Sequence, residues 1–279
     1  MAGTRGTTPI GQPVAVTGTR AGRAFVKVPR VAAWFWTVKI LTTAMGEAAS
    51  DYFIHRVGLT NTVGLVAVAL ITGLALAVAL VVQVTDRRYV PTAYWTAVAL
   101  VAVFGTMAAD AVHVVLKVPY QVSTVVFAIV LAAIFWLWYR MEGTLSIHSI
   151  FTRRRELCYW AVVMTTFALG TAVGDLTAFT FHLGFLASGL LFTFLIAIPA
   201  VGYRWFGWNE VFAFWFAYIL TRPLGASYAD WFGFPKSAGG LGVGHGVVAL
   251  ALVVLIVGCV AYLAITRADV PDEPVVAGA

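Results

Sequence analysis

Trp36, Trp95, Trp160 and Trp215 each precede a glycine by ten residues and an aspartate by fifteen, giving Gly46/Asp51, Gly105/Asp110, Gly170/Asp175 and Gly225/Asp230. A chain that repeats one spaced pattern four times folds as four copies of one unit. The tryptophans stand 59, 65 and 55 residues apart, room for two long helices per copy. Each aspartate interrupts an otherwise apolar run, and an acid inside a membrane span is costly. Four acids in equivalent positions therefore imply one shared site or one shared packing role.

Composition decides the solvent. Apolar residues make up 61% of the 279 and charged residues 11%, against roughly 25% charge in soluble domains. A helical span needs about 20 apolar residues, and eight such stretches lie near 31–56, 62–84, 92–116, 120–139, 157–182, 185–203, 210–231 and 243–265. They are too long for barrel strands of about 9–11 residues. The expected fold is an all-α membrane protein of eight transmembrane helices, built from four parallel two-helix repeats at about 31–84, 92–141, 155–205 and 210–267. Residues 27–267 form one membrane domain in this reading, and residues 1–26 and 268–279 are flexible tails. The first tail has no apolar core of the kind a signal peptide carries.

The net charge of +6 is no sign of a nucleic-acid partner, because it sits in alternate loops. Arg5, Arg20, Arg23, Lys27, Arg30, Arg87, Arg88, Arg140, Arg153, Arg154, Arg155, Arg204 and Arg267 fall on one side. Arg56, Lys117 and Lys236 fall on the other. Cytoplasmic loops are enriched in Lys and Arg, so both termini are placed in the cytoplasm and the chain in the cytoplasmic membrane, with lipid as a partner.

Two crossings return the chain to its starting side, so successive repeats are parallel rather than inverted. From Trp to Asp is about 22 Å at about 1.5 Å per residue. The tryptophans read as an interfacial aromatic belt, with packing against a neighbouring motif helix as the alternative, and the glycines as points of close helix approach. The first helix of each repeat carries the polar residues, among them Thr42, Thr106, Thr166, Thr171 and Thr221. The second is almost wholly apolar, as in Val63–Val82 and Val247–Ala264. Polar groups seek partners away from lipid, which puts the motif helices inside and the plain helices outside.

Lys39, Thr43, Glu47 and Asp51 recur every four residues and form a slowly turning stripe on one helix face. Arg222, before Pro223, is the expected partner of one or more acids, since a guanidinium there is costly alone. Five embedded acids, Glu47, Asp51, Asp110, Asp175 and Asp230, face two embedded bases, Lys39 and Arg222. The excess requires protons, water or a bound cation. His55, His113 and His182 lie beyond an aspartate, and His245 follows a glycine-rich run. Carboxylates with imidazole suit a transition metal such as manganese or zinc, so Asp51, Asp110, Asp175, Asp230 and His245 are the candidate metal ligands. No resident cofactor is expected. No nucleotide-binding loop, catalytic triad or metalloprotease motif occurs, so no enzyme is expected either. Cys158 and Cys259 do not form a disulfide framework.

The residues Lys27-Val28-Pro29, Phe35-Trp36, Lys39-Ile40-Leu41-Thr42-Thr43 and Gly46-Glu47 resemble the first repeat of a bacterial membrane-protein family. Phe214-Trp215, Thr221-Arg222-Pro223-Leu224-Gly225-Ala226 and Gly239-Gly240-Leu241 resemble its last repeat. That family has four tandem two-helix repeats of unknown function, and the resemblance covers about 27–267. It implies a membrane architecture and no activity. The glutamate after the motif glycine occurs only as Glu47; Thr106, Thr171 and Ala226 replace it, so any site is asymmetric.

The leading expectation is a transporter of a small cation, with proton-coupled export of a divalent metal as its sharpest form. Asp51, Asp110, Asp175 and Asp230 would bind the cation, Glu47 would exchange protons, and Lys39 and Arg222 would balance charge. A cation channel, a non-transporting sensor or scaffold with Asp–Arg pairs, and a membrane enzyme or redox protein acting on a lipid or quinone are the alternatives. A homo-oligomer is left open.

Overall fold

The computed structural model describes residues 23–58, 61–114, 116–271 and 275–276. The first 22 residues of the expected N-terminal tail, with Arg5 and Arg20, lie outside the described residues, as do 272–274 and 277–279 of the C-terminal one.

Eight α-helices occur among the described residues: α1 (Ala33–Val57), α2 (Thr62–Thr85), α3 (Pro91–Val114), α4 (Tyr120–Glu142), α5 (Arg153–Asp175), α6 (Gly184–Phe206), α7 (Glu210–Gly233) and α8 (His245–Thr266). The termini of the described chain meet in a two-residue antiparallel pairing of Arg23–Ala24 with Val275–Val276. Asn61, Thr152 and Asn209 start α2, α5 and α7 by accepting hydrogen bonds from the first free amides. Gly143 and Gly207 end α4 and α6 in the left-handed conformation that glycine adopts without strain. Six helices, α2 to α6 and α8, are long and apolar enough to cross a membrane. α1 and α7 are long enough but more polar.

The packing closes on itself. α1 packs on α3, α3 on α5, α5 on α7, and α7 on α1. Each plain helix lies on the motif helix of the next repeat: α2 on α3, α4 on α5, α6 on α7 and α8 on α1. The motif glycines set the separation. A Cβ on Gly46 would stand 2.5 Å from the Ala102 Cβ, one on Gly105 2.9 Å from that of Phe167, one on Gly170 2.5 Å from that of Arg222, and one on Gly225 2.9 Å from that of Thr43. Every contacted residue lies three positions before the next repeat's motif glycine, so one contact recurs around a closed ring. Small residues let helix backbones approach this closely.

A second ring lies at the tryptophan end. The aromatic residue before each tryptophan touches the tryptophan of the following repeat: Phe35–Trp95 at 5.9 Å, Tyr94–Trp160 at 5.7 Å, Tyr159–Trp215 at 6.1 Å and Phe214–Trp36 at 5.7 Å between ring centroids. Trp95, Trp160 and Trp215 are buried. For these three the packing alternative holds over the interfacial belt: the rings fill the space where four helix starts converge, which needs the same broad apolar surface as an interface does.

The chain before α1 straps this end together. Lys27 Nζ donates to Glu156 Oε2 of α5 at 2.7 Å and to the Val84 carbonyl at 2.9 Å, while Gln83 Nε2 reaches Glu156 Oε1 at 3.1 Å. The Arg30 amide donates to the Asp269 carbonyl at 2.8 Å, and the Tyr89 hydroxyl donates to the Asp269 carboxylate. Asp269 is buried, so the packed body reaches past the expected end at 267.

Candidate functional site

The four-residue stripe of the first repeat recurs at the same spacing in all four. Counting from each tryptophan, positions −1, +3, +7, +11 and +15 stack as five layers of four residues, about 6 Å apart at about 1.5 Å per residue. The aromatic ring is the first layer. Lys39, Val98, Val163 and Tyr218 form the next, then Thr43, Ala102, Phe167 and Arg222, then Glu47, Thr106, Thr171 and Ala226. All sixteen residues of these four layers are buried. The aspartates form the last layer; Asp51, Asp110 and Asp175 are half-buried, and Asp230 is buried.

Arg222, 1% exposed, is the centre of the stack. Its Nη2 donates to Glu47 Oε2 at 2.5 Å, to Thr171 Oγ1 at 2.8 Å and to Thr106 Oγ1. These three acceptors are the residues that follow the motif glycines of repeats one to three. The fourth repeat has Ala226 there and supplies the arginine instead. The expectation that Arg222 pairs with an acid thus resolves to Glu47, not to the aspartates. Charge-assisted hydrogen bonds of this kind are the strong ones. Lys39 Nζ lies 4.2 Å from the Phe167 ring centre and 4.3 Å from that of Tyr218, and the Arg222 guanidinium lies 5.4 Å from the same Phe167 ring. One aromatic face thus serves two cations.

At the aspartate end, three of the five expected metal ligands converge. Asp51, Asp230 and His245 each offer an atom, and these atoms lie within 4.8 Å of one another. His245 Nε2 stands 3.1 Å from Asp51 Oδ2. Asp230 Oδ1 is buried with no hydrogen-bond partner among the described residues. Two carboxylates and an imidazole could hold a divalent cation. Asp110 and Asp175 are not in this group. Asp110 Oδ2 accepts a hydrogen bond from Ser50 Oγ at 3.2 Å, and Asp175 ends α5, where the chain turns through a π-helical turn at Leu176–Thr180.

The glycine-rich run places His245. After α7 the chain folds back, with the Leu241 amide donating to the Trp231 carbonyl at 2.6 Å and the Val243 amide to the Phe232 carbonyl at 3.0 Å. A Cβ on Gly233 would stand 2.2 Å from the His245 ring, and one on Gly246 2.8 Å from the Tyr52 ring. Their absence lets the first turn of α8 seat the imidazole between α1 and α7. His55 stacks on His245 with centroids 5.5 Å apart, and its Nδ1–H donates to the Asp51 carbonyl at 2.7 Å. His113 lies instead beside Tyr120, and His148 pairs with Glu210 at the opposite end.

Sequence reasoning assigned Thr106 and Thr171 no partner and, having noted His55 beyond Asp51, did not join it to His245. Their signals were the position after the motif glycine and the position four residues past Asp51.

Six helices apolar enough to span a bilayer point to a multi-pass helical membrane protein. Residues 34–89, 93–144, 158–207 and 213–269 match the family described as Repeat of Unknown Function (DUF347), and the chain belongs to it. No curated protein and no solved structure matches the chain.

Proposed function

We propose that this protein carries a small divalent cation across the bacterial cytoplasmic membrane, binding it at the aspartate end through Asp51, Asp230 and His245. The observation that carries the reading is their convergence within 4.8 Å, with Asp230 Oδ1 buried and unpartnered among the described residues. An oxygen atom in that position gains a partner only from a proton, a water or an ion. In this reading all eight helices cross the bilayer as four parallel repeats. The motif helices stand inside, the plain helices face lipid, and both termini are cytoplasmic. Asp110 and Asp175 add negative charge at the same end, Glu47 exchanges protons, and Arg222 and Lys39 balance charge when the cation is absent. The chain then acts as a carrier and not as an enzyme.

The buried layer at Arg222 supports a carrier over a channel. A cation moving along the axis meets a guanidinium held by Glu47, Thr106 and Thr171, so passage requires that Arg222 move. The same caged arginine favours a second reading, a sensor that binds the cation and passes none.

Flux of manganese, zinc, cobalt and magnesium into proteoliposomes, with and without a pH gradient, separates these readings. Selective flux that Asp51→Asn and Asp230→Asn abolish supports the carrier. Binding without flux supports the sensor, and intact flux in both variants overturns the site.

A further inference from the structure

The four motif tryptophans differ in one respect. Trp95, Trp160 and Trp215 are buried, and Trp36 is half-buried. Trp36 forms one wall of a cavity of about 550 Å³ between α1, α6 and α7, a size within the range of about 300–1,000 Å³ usual for small-molecule sites. The ring symmetry explains where it lies. α8 touches α3, α2 touches α5, and Phe135 and Trp138 of α4 close over Trp215 of α7. α6 stands off α1, and the corresponding space stays open.

The cavity is graded from polar to apolar. Arg30, Ser146, His148 and Glu210 line its mouth, where α1 and α7 begin and α6 ends; Ile40, Ile196, Pro199, Phe214 and Ala217 line its floor. Beside the mouth, Tyr203, Trp205, Phe206 and Phe212 are exposed. Exposed aromatic rings grouped at one level of a membrane protein mark the headgroup region. The mouth therefore lies at headgroup depth and the floor in the hydrocarbon.

We propose that this cavity holds one phospholipid of the surrounding bilayer with a zwitterionic headgroup. The mouth carries both charges: Arg30, whose guanidinium has several N–H donors and can meet a phosphate while keeping its contact within the protein, and Glu210, 3.1 Å from His148 Nε2, for the ammonium. An acyl chain lies against Ile40, Ile196 and Phe214 and covers the open face of Trp36. The proposal is independent of cation transport, since it concerns the opposite end of the molecule.

Native mass spectrometry of the full chain tests it, after extraction from vesicles of equal phosphatidylethanolamine and phosphatidylglycerol, with oleate added in a parallel arm. One tightly retained phosphatidylethanolamine is expected, several-fold over phosphatidylglycerol. Ala217→Trp, which fills the floor, should remove it, and Ala200→Phe serves should that variant fail to fold. Glu210→Gln should erase the preference between the two lipids. Equal retention in a folded, filled variant, equal retention of both lipids by the parent chain, displacement by oleate, or no retained phospholipid would each overturn the assignment.

Discussion

Arg222 of the fourth repeat reaches across the bundle axis to Glu47 of the first, Nη2 to Oε2 at 2.5 Å, and the two are 1% and 5% exposed at their side chains. The pair joins the ends of the repeat array, and Thr106 and Thr171 complete it from the two repeats between. Each repeat therefore contributes one residue to a single buried centre.

Removing one partner leaves the other charge buried. Glu47→Gln should destabilise the protein by about 3–5 kcal/mol, the usual cost of breaking a buried pair. Glu47→Gln with Arg222→Met should recover most of that loss. Denaturation of the purified variants in detergent measures both, and a double variant no better than the single one would show that the pair is not a unit.

The glycine ring gives a graded pair of substitutions. Gly170→Ala puts a Cβ 2.5 Å from the Arg222 Cβ, whereas Gly174→Ala meets the Ala226 Cβ at an ordinary 3.8 Å. Overpacking costs typically about 1–3 kcal/mol, so Gly170→Ala should lose at least that much and Gly174→Ala little. Thermal melting of the two variants side by side checks the order.

Tyr89 and Asp269 tie the α2–α3 connection to the chain after α8. Burial, and then the hydrogen bond to Asp269, push the Tyr89 phenol well above its ordinary value. The folded state holds the proton that an unfolded tyrosine releases near pH 10. This contribution is therefore present in full below about pH 10 and lost as pH rises further. Tyr89→Phe should cost about 1–3 kcal/mol by leaving a buried acceptor unpaired, and should flatten the alkaline fall in stability. An unchanged alkaline limb would place its cause elsewhere.

A cation at the aspartate end should stabilise the fold. A ligand at one hundred times its dissociation constant contributes about 2.7 kcal/mol, read as a rise in melting temperature with manganese or zinc. Asp230→Asn and His245→Ala should remove the rise and Asp175→Asn should keep it, because Asp175 is outside the converging group. Equal loss in all three would instead assign the effect to the aspartate layer as a whole.

The periodicity of Lys39, Thr43, Glu47 and Asp51 was legible because a four-residue step keeps side chains on one helix face. The same step in the other repeats is harder to see. Val98 and Ala102 are as fully buried as Lys39 and Thr43, yet an apolar residue in an apolar helix marks no face. The tryptophans stayed open between belt and packing for a related reason. A ring buried among four helix starts and a ring at a headgroup boundary have the same flanking sequence, and only the neighbouring repeats distinguish them.

By itself, then, the sequence determined eight helices, four copies of one unit, and the level of each tryptophan, glycine and aspartate along its helix. These follow from apolar length and spacing, which are local properties of the chain. The tertiary structure alone decided which repeat faces which. It brought Arg222 to Glu47 across 175 residues, seated His245 between Asp51 and Asp230, and left α6 standing off α1. Each of these depends on how closely two helix backbones approach, a distance set by the absence of a Cβ on one helix and the bulk of a side chain on another.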